Sequence, residues 1–188
     1  MTTDKGIIYI YDNNLNFVKK EENNKYKELS IKDDTSFITY NISKIKVWEI
    51  NQKNYILNTL YLIDTHLSLK KVTIIKNGDI IGSTSYHLDF QPYQCFVYQK
   101  INNNIYQKKI SIKYKSIIIS FLITENNKEL IILYHYFKRI DYYRIDIYEY
   151  NNFKLKRSNK ENFFSLLNKD VNDFLLDINK NIFLLCSF

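Results

Sequence analysis

The stretch Lys70–Ser85, KKVTIIKNGDIIGSTS, decides how this chain folds. Lys70–Lys76 (KKVTIIK) is rich in β-branched residues and reads as a strand. Asn77-Gly78 follows, the pair a two-residue hairpin turn selects, because both central positions of that turn take positive φ. Asp79–Ser85 (DIIGSTS) then returns antiparallel to the first strand. A longer polar connection through Pro92 leads to a third strand over Cys95–Gln99, and Asn102-Asn103-Asn104 turns into a fourth over Ile105–Ile110. Four strands joined in chain order form a meander, and this unit, Leu67–Ile110, is the template for the rest.

Two further units fit the template. Tyr26–Ile31, Ser36–Asn41, Lys44–Ile50 and Tyr55–Leu60 make one, with Lys32-Asp33-Asp34-Thr35 as its first turn. Lys115–Ile123, Glu129–Tyr136, Tyr143–Tyr150 and Phe153–Lys156 make another, with Glu125-Asn126-Asn127-Lys128 in the turn. Val, Ile, Tyr, Phe and Thr dominate the apolar runs, alanine is absent, and no long segment keeps an i, i+3, i+4, i+7 stripe. Ile45–Ile50 (IKVWEI), Cys95–Lys100 (CFVYQK) and Ile145–Tyr150 (IDIYEY) recur about 50 residues apart, and Ile7–Asp12 (IIYIYD) is a fourth copy. Such spacing is that of β-propeller arrays. The expectation is an all-β, β-propeller-like array of about four four-stranded antiparallel blades, closed or open, in a single domain over residues 1–188. Val171–Ile178 and Asn181–Phe188 supply only a hairpin, so Gly6–Asp12 and Leu15–Lys20 at the N-terminus are expected to complete the last blade and remove two sheet edges. Asn159–Lys169 (NKENFFSLLNK) breaks the pattern and reads as a short helix or irregular loop, with Ser158 or Asn159 as caps and Phe163-Phe164 folded under or offered as a docking patch.

A chain of 188 residues buries about 70% of the surface its unfolded form exposes, so it folds without a metal or disulfide. Cys95 and Cys186 sit in apolar runs without CxxC spacing and read as buried free thiols. Met1–Lys20 lacks the order of a secretory signal, and the apolar run Ser116–Thr124 is too short to span a bilayer. A cytoplasmic protein without membrane contact is expected, with the nucleus as the alternative compartment. The net charge of +7 is spread along the chain, as in Lys19-Lys20-Glu21-Glu22, and three of the 27 basic residues are arginine (Arg139, Arg144, Arg157). A phosphate-binding face concentrates such charge, and arginine supplies its bidentate contacts.

Asp64–Gln99 resembles a degenerate WD repeat. Thr65-His66 stands where that family has Gly-His, Lys71–Ile75 where it has its inner strand, Asn77-Gly78 where it has Asp-Gly, and Val97-Tyr98-Gln99 replaces the closing Trp-Asp. Val47-Trp48-Glu49 is the nearest copy of that dipeptide. The resemblance implies a blade network of His, Ser or Thr, Asp and Trp, for which His66 has the position and Thr73 or Ser83 could be the hydroxyl partner. Within the family, the order from Val47-Trp48-Glu49 to Phe96–Gln99 is similar to the WD-repeat member of cytosolic iron–sulfur assembly, a docking platform for client apoproteins.

Catalytic patterns are weak. His66, His87 and His135 are isolated, Asp33-Asp34 reads as an exposed turn, and three glycines (Gly6, Gly78, Gly82) could hardly build a phosphate loop. No cofactor or metal is expected, and no enzymatic activity. The expected function is a protein-interaction scaffold. Its contacts are placed on two connections between second and third strands, which share one rim: Tyr86, His87 and Tyr93 on the first, Lys138, Arg139 and Tyr142 on the second. The alternative is a nucleic-acid-binding all-β domain that stacks bases on exposed Tyr and Phe beside lysines.

Overall fold

The computed structural model describes residues 7–11, 14, 16–22, 26, 28–84, 92–102, 105–124, 128–136, 142–161, 171–176 and 182–186, and among these described residues every regular element is a strand. Strands β1 (Ile7–Tyr11) and β2 (Phe17–Glu22) pair as an antiparallel ribbon. Next come three four-stranded meanders: β3 (Glu28–Ile31), β4 (Ser36–Tyr40), β5 (Lys44–Asn51) and β6 (Ile56–Asp64); β7 (Leu69–Ile74), β8 (Ile80–Thr84), β9 (Tyr93–Asn102) and β10 (Ile105–Tyr114); β11 (Ile118–Ile123), β12 (Glu129–Tyr136), β13 (Tyr142–Glu149) and β14 (Leu155–Glu161). A hairpin of β15 (Val171–Leu176) and β16 (Ile182–Cys186) follows. By backbone contacts the chain divides into two compact units, Met1–Gly82 with Phe96–Ser111, and Ser83–Cys95 with Ile112–Phe188.

In the first unit, the β3–β6 sheet is covered on both faces, and its sequence shows why. Ile38, Tyr40, Ile45 and Val47 face one way and share a core with Val72, Ile74, Ile80, Phe96 and Tyr98. Phe37 and Trp48, one position along each strand, face the other way and meet Ile8 and Ile10 of β1. A strand buried on both sides reads as consecutive apolar residues, which is what Phe37-Ile38 and Val47-Trp48 are. Phe37 and Trp48 lie opposite each other in the ladder and stack at 6.0 Å between centroids and 10° between planes. The Trp48 indole donates to Thr39 Oγ1 at 2.8 Å on the same face, and Lys46 Nζ sits 3.6 Å from the ring centroid. The edge strands β3 and β7 meet through Ser30, whose hydroxyl lies 3.0 Å from Thr73 Oγ1 and accepts from the Ile74 amide at 3.2 Å.

In the second unit, alternation along β12 again feeds two faces. Ile131 and Leu133 pack with Ile145, while Leu130, Ile132 and Tyr134 are buried on the opposite side. Strand β15 runs beside β11.

Several sequence-based expectations need correction. The Asn77-Gly78 turn has three residues, not two: the Gly78 amide donates to Ile75 O at 2.8 Å, the Ile75 amide to Asp79 O at 3.0 Å, and at this turn only Gly78 has positive φ, +89°. A glycine in the left-handed region closing a three-residue loop is the next commonest hairpin solution. Among the described residues the N-terminal pair and the C-terminal hairpin are each a two-stranded sheet. The N-terminal ribbon buries Ile8 and Ile10 against Phe37 and Trp48. Asn159–Glu161, expected in a helix or loop, extend β14, because Ser158–Glu161 pair with Asp146–Tyr143; residues 162–170 lie outside the described residues. Strands β6 and β10 run four residues beyond their expected ends.

The His66-centred network that the WD resemblance implies does not form. His66 is exposed, at φ +52°, with its amide on Asp64 Oδ1 at 3.2 Å. Thr65 is the buried residue there, its hydroxyl donating to Ser43 O at 2.7 Å, and Thr73 is engaged with Ser30. In the β3–β6 sheet the buried Thr39 hydroxyl accepts from the Trp48 indole. Cys95 is free and buried, and burial pushes its thiol up; of Cys186 only the backbone is described.

Candidate functional site

The first turn of the β3–β6 sheet is shaped by one carboxylate. Asp33 Oδ1 accepts from the Thr35 amide and hydroxyl at 2.9 and 2.8 Å and from the Ser36 amide and hydroxyl at 2.8 Å each, while Oδ2 faces Lys32 Nζ at 2.9 Å. Its slight burial opposes the charge, but the Lys32 ammonium and the Thr35 and Ser36 donors outweigh that and hold the carboxyl well below its usual range. Asp33 is thereby committed to the turn. Asp34, its exposed neighbour, has no hydrogen-bond or ion-pair partner among the described residues.

Both aspartates stand at a groove of about 450 Å³ between this turn and β1. Ile8, Ile10 and Phe37, all buried, give it an apolar base. Tyr9, Tyr11 and Tyr55 also line it, and so does Ile31, which is 66% exposed. Tyr55 is held there by the β5–β6 turn, where its amide donates to Asn51 O at 2.7 Å and its φ is +53°. That conformation costs a non-glycine residue about 1 kcal/mol. Tyr9 and Tyr11 alternate with Ile8 and Ile10 along β1, so the isoleucines point to the core and the tyrosines do not. Phe17 extends the aromatic surface, with ring centroids 6.4 Å from Tyr9 and 6.1 Å from Tyr11.

The second unit carries a buried polar cluster. Asp146, 6% exposed, accepts from Ser158 Oγ at 2.6 Å and has the hydroxyls of Tyr114, Tyr134 and Tyr148 at 3.3, 3.4 and 3.5 Å. Tyr114 also donates to the Tyr148 oxygen at 3.0 Å, and Arg144 donates to Ser158 Oγ at 2.9 Å. Burial first, then the Asp146 charge, pushes the Tyr134 phenol up, and Tyr114 rises through burial, Tyr148 and Asp146. Phenols held protonated in this way are hydrogen-bond donors to the carboxylate and not bases.

A pH prediction follows from these tyrosines and those of the first unit, where burial raises Tyr40 and Tyr98 and pushes Tyr106 up to about 12. A phenol whose folded pKa lies above its unfolded value adds stability that is intact below the unfolded value, about pH 10, and is lost as pH rises through the folded value. The melting temperature should therefore stay level up to about pH 10 and fall steeply above it. Absorbance of phenolate at 295 nm should show a late phase that coincides with unfolding. A complete titration near pH 10 with strand structure retained would refute it.

The residues placed on the rim from sequence are only partly visible. Tyr86, His87, Lys138 and Arg139 lie outside the described residues, and of Tyr142 the backbone alone is described, at the start of β13. Tyr93 is the first residue of β9 and is half-buried. Lysines expected to mark a nucleic-acid face fall on edge strands, with Lys108, Lys109 and Lys113 on β10 and Lys154 and Lys156 near or in β14, all exposed. Charge on an edge strand keeps other chains from pairing with it. Sequence reasoning missed the groove; the alternation of tyrosine and isoleucine in Ile7–Tyr11 was its one signal. Among the described residues no three His, Cys, Asp or Glu side chains gather to hold a metal ion, and no helix is long and apolar enough to cross a membrane.

No family model and no curated protein sequence matches this chain. In structure it is similar to the Dos1 propeller, with a TM-score of 0.63 and 9% identity over 95% of this chain and 46% of that one. It is also similar to a 6-phosphogluconolactonase candidate from Bacteroides uniformis, with a TM-score of 0.58 and 10% identity over 95% of this chain and 56% of the other. The chain thus spans about half the length of these two proteins. At such identity the likeness speaks for architecture alone, and that architecture is the all-β, bladed β-propeller fold.

Proposed function

We propose that this chain is a non-catalytic protein-interaction scaffold of WD-repeat type, which receives a partner protein at the groove beside β1. The observation that carries this reading is the groove itself: an apolar base, three tyrosines and an exposed isoleucine around about 450 Å³, the mixture that binding hot spots favour. The WD-repeat assignment is supported by the Trp48–Thr39 hydrogen bond between third and second strands. Membership of a multiprotein complex such as cytosolic iron–sulfur protein assembly rests on the resemblance around Val47-Trp48-Glu49.

The test is a quantitative affinity purification with the full chain, comparing wild type, Ile31→Glu and Tyr93→Ala. Ile31 is exposed, so its substitution should leave the melting temperature unchanged. Stoichiometric partners should be recovered with wild type and depleted with Ile31→Glu. Depletion with Tyr93→Ala alone would move the binding surface to the rim of the β8–β9 connection. Hydrolysis of a phosphogluconolactone substrate above the buffer rate would overturn the non-catalytic reading.

A further inference from the structure

We infer that the groove beside β1 selects a cationic side chain, a lysine or arginine carried on an otherwise apolar segment of the partner; this rests on the scaffold reading and names the chemistry of what docks there. Two independent features point to a cation. The first is charge. Asp33 lies within a shell of four short donor contacts and an ammonium, so its charge is already answered by the protein. Asp34 lines the same groove, and its carboxylate has no counterion or donor among the described residues. A carboxylate open to a groove attracts a positive group brought there by a partner.

The second feature is aromatic. Tyr9, Tyr11 and Tyr55 line the groove, and no hydroxyl of the three has a hydrogen-bond partner among the described residues. Faces of tyrosine rings attract ammonium and guanidinium groups, and the gain grows as water is excluded. The long alkyl stem of either cation also suits the apolar base made by Ile8, Ile10 and Phe37. The protein already uses this chemistry internally, where Lys46 lies 3.6 Å from the centroid of the Trp48 ring. With a net charge of +7, the molecule as a whole repels cations, so selection must come from contact in the groove and not from long-range steering.

The experiment measures fluorescence anisotropy of the intact chain with four labelled five-residue peptides that carry lysine, arginine, glutamate or norleucine between two leucines. The lysine and arginine peptides should bind at least about fivefold tighter than the norleucine peptide, the range an exposed ion pair plus a ring contact supplies, and the glutamate peptide should bind weakest. Asp34→Asn should lower the preference for the cationic peptides about threefold and Asp34→Lys should reverse it, without changing the norleucine peptide. Tyr11→Ala should weaken all four peptides. Equal binding of the norleucine and lysine peptides, or an unchanged preference in Asp34→Lys, overturns the inference while leaving the scaffold reading intact. Loss of partner recovery in Ile31→Glu together with that result would show a groove that reads apolar surface only. Tight binding of a labelled single-stranded oligonucleotide that competes with the peptides would also overturn it, since the site would then be reading phosphate.

Discussion

Replacing Gly82 by alanine should destabilise the first unit by about 3 kcal/mol, at the upper end of what overpacking costs. A Cβ built at Gly82 would lie 2.2 Å from Phe96 Cζ, 2.7 Å from Cε2 and 3.0 Å from Cε1, so the tip of the ring lies over the glycine across the β8–β9 ladder. Phe96 has no exposed surface and is wedged among Ile38, Ile80 and Tyr98, the last at 5.7 Å between centroids and 77° between planes. Withdrawing the ring by more than an ångström would displace that core, whose packing leaves little free space. An aromatic laid over a strand glycine is a recognised way to fill the space a missing side chain leaves. The contrast is Gly78→Ala, where the new Cβ meets the flexible Lys100 side chain at 2.8 Å and the penalty is chiefly the φ of +89°, about 1 kcal/mol. Urea denaturation of the two variants measures the difference. Phe96→Leu in the Gly82→Ala background should recover part of the loss, giving a less than additive double mutant. A Gly82→Ala protein within 1 kcal/mol of wild type would mean the ring can move, contrary to its complete burial.

The order of strands was legible in the chain, and particular residues explain why. Three of the four aromatic-ended repeats, at Ile45, Cys95 and Ile145, fall in β5, β9 and β13, the third strands of their sheets, and the fourth is β1. Each of these third strands is an inner one, lying between its second and fourth neighbours. Turn chemistry was less legible. Asn77-Gly78 matches a two-residue turn locally, but Asp79 draws the strand inward by accepting the Lys100 amide at 2.8 Å, and its own amide donates to Asn77 Oδ1 at 3.0 Å. The Lys100 contact links residues 21 apart in the chain, so no local rule contains it. The same holds for the groove, which exists because β1 packs on Phe37 and Trp48, and for His66, whose neighbour Thr65 takes the buried place by bonding to Ser43. Asp146 gave a signal that went unread: an acid in the middle of Ile145–Tyr150, at a register position between Ile132 and Ser158, has to be satisfied by its neighbours.

Asp146→Ala should cost the second unit about 3 kcal/mol, because it removes the acceptor of the buried Tyr134 phenol and one of the two acceptors of the buried Tyr114 phenol. The carboxylate is 6% exposed and stands within 3.5 Å of four hydroxyls, of which Ser158 at 2.6 Å is the closest. Ser158 is itself held by Arg144 at 2.9 Å, so the cluster runs from a guanidinium through a hydroxyl to the carboxylate. Removing the carboxylate leaves Tyr114 with Tyr148 as its acceptor and takes from Tyr134 the oxygen at 3.4 Å, and the two rings pack at 4.6 Å between centroids. Asp146→Asn keeps the shape and one acceptor oxygen while deleting the charge, and should cost about half as much. The two variants separate charge from hydrogen bonding in a second way. Since the Asp146 charge helps to raise Tyr114 and Tyr134, both variants should let phenolate form at lower pH than in wild type, moving the late phase at 295 nm toward about pH 10. A hydroxyl network that served packing alone would lose stability in Asp146→Ala but leave the tyrosine titration of Asp146→Asn where it was. An Asp146→Ala protein as stable as wild type, with its titration unmoved, would show that the carboxylate is dispensable to this sheet.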